Sequence, residues 1–186
     1  MIDTVLNYFN NSSAITYVVL GLLSVYLIMV LWIFIYKNLS LNSMINTEKK
    51  SLESLTSRNS QLSPLSKLSA CSDVTNSKEI LHACEISIIR EASTGVSWMS
   101  IVSSTSPFIG LFGTVVGILE SFAKFSSHSK VGFSIIAPAI SEALVATAAG
   151  IFVAIFAYTF HQILIRKVYE LNTFLKAQSE ILIAKG

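Results

Sequence analysis

Of the side chains in this 186-residue chain that can hold or pass a proton, several sit in or beside stretches otherwise without charge: Thr114, Thr147, Glu120, Glu142 and His161. A threonine hydroxyl both donates and accepts a hydrogen bond, a carboxylate titrates, and an imidazole changes charge near neutral pH. Such groups suit ion handling. Two plainer roles stay open for them, since a threonine in a membrane helix commonly bonds its own backbone carbonyl, and a glutamate just outside the hydrocarbon is a solvated charge. His161 reads as an interfacial side chain with its polar tip toward water. No HExxH, GxSxG or Walker loop occurs. Gly110, Gly113 and Gly117 fall inside an apolar run, where they cannot cradle a phosphate. Enzyme chemistry, a cofactor and a metal site are therefore not expected.

Composition says what must position these groups. The chain is 52% hydrophobic and 13% charged, against roughly 25% charged in a soluble domain. Thirteen Lys and Arg against eleven Asp and Glu are scattered along it, which leaves no basic footprint for nucleic acid. Three uncharged stretches stand out: Ala14 to Tyr36, Ala92 to Leu119 and Ala143 to Ile165. The first spans roughly 35 Å as a helix, enough to cross a bilayer. It has neither the positive start nor the small-residue cleavage site of a signal peptide, so it is expected to stay as an anchor. With only Thr16 and Ser24 as aliphatic hydroxyls, it reads as lipid-facing. The second, carrying Ser97, Ser100, Ser103, Ser104, Thr105 and Ser106, reads as an inner helix. Pro107 is expected to kink it, and Pro138 to sit in the first turn of the third span.

The expected fold is all-α, a polytopic membrane protein with three transmembrane helices extended into a cytoplasmic helical bundle. Residues 1–36 form the periplasmic N-terminus and first span, 37–91 a cytoplasmic segment, 92–122 the second span, 123–137 a short periplasmic connection, 138–165 the third span and 166–186 a cytoplasmic helix. Orientation follows from charge: residues 37–91 carry seven Lys and Arg and the tail from 166 carries four, against two in 120–142. By the positive-inside rule the N-terminus is periplasmic and the C-terminus cytoplasmic. Cys71 and Cys84, thirteen residues apart without zinc-ligand spacing, are then expected as free thiols in a reducing compartment. Leu52, Leu55, Leu62, Leu65 and Leu68 give the cytoplasmic segment a helical stripe interrupted at Ser63-Pro64. Asn76 to Glu91 runs toward the second span with no evident breaker, which predicts one continuous rod.

The short connection makes spans two and three an antiparallel hairpin, in which residues at equal depth have numbers summing to about 262, counted from a turn in mid-connection. Thr114 then shares a layer with Thr147, while Glu120 and Glu142 share one nearer the periplasm, roughly 8–9 Å away. Small residues line both helices: Gly110, Gly113 and Gly117 on one, Ala143, Ala146, Gly150, Ala154 and Ala157 on the other. Such seams let helix backbones approach closely where lipid removes the hydrophobic drive. Packing is their expected role.

The hairpin resembles the MotA/TolQ/ExbB proton-channel family, most closely its TolQ and ExbB branch. SPFIGLFGTVVGILESF (Ser106 to Phe122) looks like the family's span-two motif, and IAPAISEALVATAAGIFVAI (Ile136 to Ile155) like its span-three motif. Where the family often has a proline and a later Tyr-Asn, this chain has Phe156 and His161-Gln162. The resemblance implies a homo-oligomer, a pentamer, in the bacterial inner membrane. Its second and third spans would surround single-span helices of a TolR- or ExbD-like partner bearing a membrane aspartate, and a TolA- or TonB-like protein would receive the force. Thr114 and Thr147 match the pore hydroxyls facing that aspartate, and Glu142 matches the acidic residue at the pore. The chain itself has no Asp in any span, so the pathway needs the partner. A non-conducting three-span scaffold is the competing reading, and a MotA-like flagellar stator is disfavoured because it would require an extra pair of spans and a large cytoplasmic domain.

Overall fold

The computed structural model describes residues 14–57, 66–69, 78–126 and 133–185. Among them the chain forms four helices and no strand: α1 (Ala14–Thr56), α2 (Lys78–Ser93), α3 (Val96–Ser126) and α4 (Phe133–Lys185). Parts of α1, α3 and α4 are long and apolar enough to cross a membrane. The first is the least buried within the chain, with 17% of its most apolar window covered against 33% and 28% for the others. Several hydroxyls of α3 bond within their own helix: Ser104 donates to the Ser100 carbonyl (2.9 Å), Thr105 to Ile101 (2.8 Å) and Ser106 to Val102 (2.7 Å). Bonds to carbonyls one turn back lower the cost of carrying so many hydroxyls in an apolar span.

Four expectations require correction or fall outside the described residues. α2 and the second span are not one rod, because Thr94 and Gly95 form a turn between them, with Gly95 at φ +86°. That left-handed conformation is open to glycine at little cost, and the Thr94 amide closes the end of α2 on the Arg90 carbonyl at 3.1 Å. Pro138 lies inside α4 rather than in its first turn, since the helix starts at Phe133; the residues before Pro138 contain no breaker. Cys84 is disulfide-bonded, not a free thiol; compartment-based reasoning carries no information on whether a fold brings sulfur to sulfur. Its fellow Cys71, like Leu62, Ser63, Pro64 and Leu65, lies outside the described residues.

The chain divides into two compact units, one of residues 1–31 and 98–159, the other of residues 32–97 and 160–186. α1 and α4 each contribute to both. The first unit contains the α3–α4 hairpin with its small-residue seam and buried Val19 and Leu23. The second is built like a soluble core, with Leu41, Leu55, Leu68, Leu81, Leu164, Leu171 and Leu175 each no more than 2% exposed. Phe34 stacks on Phe160 there, ring centroids 4.1 Å apart. Lys37 donates to the carbonyls of Glu91 (3.2 Å) and Ala92 (3.4 Å), placing a cation near the end of α2, where the helix dipole favours one.

Candidate functional site: a hydroxyl pair on a glycine seam

The geometry of the hairpin begins with its glycines. A Cβ added to Gly110 would lie 2.7 Å from the Ala146 carbonyl oxygen and 2.9 Å from Thr147 Cα; one added to Gly150 would lie 2.5 Å from the Ser106 carbonyl oxygen. Neither distance is possible for a real Cβ, so α3 and α4 meet backbone to backbone at these two positions. Gly113 faces Ala146 and Val19, while Gly117 faces Ala143 at 3.1 Å. Ala143, Ala146 and Ala154 are buried alongside. Gly110–Ala146, Gly113–Ala146 and Gly117–Ala143 have numbers summing to 256, 259 and 260, all below the expected 262.

This approach puts a side chain of one helix within reach of the other's backbone. Thr114, 8% exposed, has its Oγ1 3.0 Å from the Ala143 carbonyl of α4 and 3.2 Å from the Gly110 carbonyl of its own helix. Thr147 Oγ1 reaches the same Gly110 carbonyl at 3.2 Å, and the two hydroxyls hydrogen-bond each other. Two hydroxyl protons thus face three kinds of acceptor: the Ala143 carbonyl, the Gly110 carbonyl and the neighbouring hydroxyl. At least one oxygen lone pair in the pair is always unused, and one O–H can turn to a third group by giving up a long 3.2 Å bond. Thr147 is only half-buried, which leaves it the more accessible member. Chemically, the pair can offer either a donor or an acceptor without moving a backbone.

Glu142 sits half-buried one residue before Ala143, and Glu120 is half-buried on α3; each has interaction partners. His161 is half-buried on α4, within the second unit. Phe156 is exposed at 37%, and Phe152 packs edge-on against it with ring centroids 4.8 Å apart. Metal-ligating clusters are absent among the described residues.

Polar groups that sequence reasoning missed lie in the second unit. Glu48 is 2% exposed, Gln178 0%, Ser66 3% and Glu85 5%. Glu48 Oε2 accepts from Ser66 Oγ (2.7 Å) and Gln178 Nε2 (3.1 Å), and its Oε1 accepts from the Lys67 amide (2.9 Å). Glu85 accepts from Ser179 Oγ and lies 3.3 Å from His82 Nδ1. In the sequence Glu48 lies four residues before Leu52, and Glu85 four after Leu81 and three before Ile88, so each shares a helix face with apolar residues. At the surface, Lys67 Nζ pairs with Glu91 Oε2 at 2.7 Å. The hydrogen bond from Lys67, then its charge, hold the Glu91 carboxyl below its usual value, with slight desolvation opposing and Lys37 adding a smaller attraction. Lys167 reaches the side-chain oxygens of Asn38 and Asn42, each at 2.5 Å.

Comparison with known proteins matches residues 34–176 to the MotA/TolQ/ExbB proton channel family. An ExbB-like biopolymer transport protein of Helicobacter pylori is 42% identical over 189 residues, covering all of both chains. The biopolymer transport protein ExbB of Pseudomonas putida is 39% identical over 79 residues, 42% of this chain and 24% of that protein. The Tol-Pal system protein TolQ of Pseudomonas aeruginosa is 40% identical over 79 residues, 41% of this chain and 34% of that protein.

Proposed function

On the premise that the chain belongs to the MotA/TolQ/ExbB proton channel family, as its match over residues 34–176 establishes, we propose that it is the channel-wall and stator subunit of an inner-membrane motor. The motor couples the proton-motive force to force transmission toward the outer membrane. Its working partner is a TolR- or ExbD-like single-span protein with a membrane aspartate, and several copies of this chain, five by family resemblance, enclose that span. A TolA- or TonB-like protein receives the force. The N-terminus faces the periplasm, and the second unit with the C-terminus faces the cytoplasm.

The observation that carries this reading is the hydrogen-bonded pair Thr114–Thr147 on facing helices. A partner carboxylate needs a donor when ionised and an acceptor when protonated, and the pair supplies either by turning one O–H. The half-buried Glu142 lies on the same helix, five residues before Thr147, and would supply negative potential along a cation's route. A proton crossing 100 mV yields roughly 2.3 kcal/mol, comparable to one or two hydrogen bonds in the pathway, so the layer must bind the carboxylate weakly enough to let it cycle.

Thr147→Ala tests the proposal in membranes that also hold the partner. The motor reading expects assemblies of unchanged mass and a loss of proton-driven activity. A three-span scaffold would keep both, and that result would refute the motor.

A further inference from the structure

The half of α3 that precedes Thr114 presents two sides of opposite character. Ser100, Ser104, Pro107, Leu111 and Thr114 recur at spacings of four, three, four and three, so they share one side of the helix. Ser100 and Ser104 are exposed on it. Ile101, Phe108, Phe112 and Leu119 form a second exposed stripe, about a quarter turn away. Lipid suits the second stripe. The first joins exposed hydroxyls to the layer of Thr114 and Thr147, with Ser104 roughly 15 Å along the helix from Thr114.

Hydroxyls that close on their own helix need no water, and most of these do close. Ser103 and Ser104 both donate to the Ser100 carbonyl, at 2.8 and 2.9 Å, and Ser104 Oγ also lies 3.0 Å from the Ile101 carbonyl. Thr105 donates to the Ile101 carbonyl and Ser106 to that of Val102. The series stops there. The next carbonyl, that of Ser103, would ordinarily receive the amide four residues on, but that residue is Pro107, inside the helix and without an N–H. Among the described residues no hydroxyl takes the missing amide's place. In hydrocarbon a carbonyl so deprived is costly, and water or another polar group must supply its donor. A helix carbonyl points along the axis toward the residue four on, so the Ser103 oxygen points toward Pro107, on the hydroxyl side and away from the apolar stripe.

We propose that this side of α3 is a water-filled release route for protons, in which the Ser103 carbonyl and the Ser104 and Ser100 hydroxyls order a file of water between the threonine layer and the cytoplasm. The route rests on the channel reading above and deepens it. A proton leaving the partner's carboxyl beside Thr114 and Thr147 passes to the nearest water, giving a carboxylate and a hydronium ion. The carbonyl and the two hydroxyl oxygens accept hydrogen bonds from the file and so favour its positive charge.

Thiol labelling tests for the water. The probe is a membrane-impermeant thiosulfonate bearing a trimethylammonium group, added to the cytoplasmic side of membrane vesicles that hold the full chain and the proposed single-span partner. Modification is read at each residue by peptide mass, with the wild-type chain as blank. Ser100→Cys and Ser104→Cys should react at least about tenfold faster than Ile101→Cys, which stands roughly 100° round the helix from Ser100, because only a hydrated thiol ionises to the reactive thiolate. Adding Pro107→Ala, which returns an N–H to the Ser103 carbonyl, should slow the reaction of Ser104→Cys severalfold. Equal rates at the three positions overturn the route, and so does a Ser104→Cys rate indifferent to Pro107→Ala. Ser104→Leu should lower proton flux at least about tenfold at unchanged assembly mass; full flux overturns the route as well. Should Ser104→Leu not assemble, the labelling decides. Slow labelling at Ser104→Cys, beside a flux that Thr147→Ala abolishes, strikes the route and leaves the channel reading standing.

Discussion

The same two helices, α1 and α4, run through both units, yet the units are held together by different physics. In the first, Gly110 and Gly150 let backbones touch and Thr114 bonds a carbonyl across the gap; its large apolar side chains, such as Phe108, Phe112 and Leu119, point outward. In the second, Leu171, Leu175 and Leu81 are fully enclosed, and carboxylates are buried with them. Lipid offers no hydrophobic drive between helices, so the first unit depends on close approach and polar bonds. The second buries large aliphatic side chains and keeps Glu48 as a hydrogen-bonded tether. One continuous helix thus changes its packing rule along its length.

That contrast can be broken by substitution. Leu175→Ala in the second unit should cost about 2–5 kcal/mol in reversible unfolding, as expected for an enclosed leucine, whereas Leu111→Ala, 51% exposed in the first unit, should change helix–helix stability little. Gly150→Ala is the reciprocal test. Its new Cβ meets the Ser106 backbone, so hairpin association should weaken by about 1–3 kcal/mol, measured by denaturant titration in detergent. Gly21→Ala, with nothing within 4 Å, should instead stabilise α1 by up to about 1 kcal/mol through helix propensity.

The smallest expected effect concerns Lys67–Glu91. Because the Glu91 carboxyl is held below its usual value, its contribution is present above the unfolded-state carboxylate value and is lost as pH falls through the folded one. The partners are 39% and 68% exposed, so screening limits the pair to under about 1 kcal/mol. Thermal unfolding of wild type and Glu91→Gln should differ slightly at neutral pH and converge in acid. A difference that grows on acidification would have the wrong sign.

Much of the fold was legible because charge is absent where lipid is present: the three uncharged stretches all fall within α1, α3 and α4, apart from Ala92 to Gly95. The threonine layer was legible too, since hairpin arithmetic needs only a turn position and the bonded pair Thr114–Thr147 falls within one residue of it. Gly95 was missed because one glycine among Ser93, Thr94 and Ser97 looks like another small residue; only its positive φ marks the break. Glu48 and Gln178 were missed for a different reason. They are 130 residues apart, and no local periodicity pairs a carboxylate on one helix with an amide on another. Compartment reasoning likewise had no access to the Cys84 disulfide.

The central claim is that the Thr114–Thr147 layer conducts because its hydroxyls can reorient, not because of its shape. Proton flux into proteoliposomes holding this chain and the proposed TolR- or ExbD-like single-span protein tests that most directly, comparing Thr147→Ser with the near-isosteric Thr147→Val at equal assembly mass. The serine form should keep flux within a few-fold and the valine form should lose at least about tenfold, equivalent to about 1.4 kcal/mol in the barrier. A valine form that conducts like wild type would contradict the account.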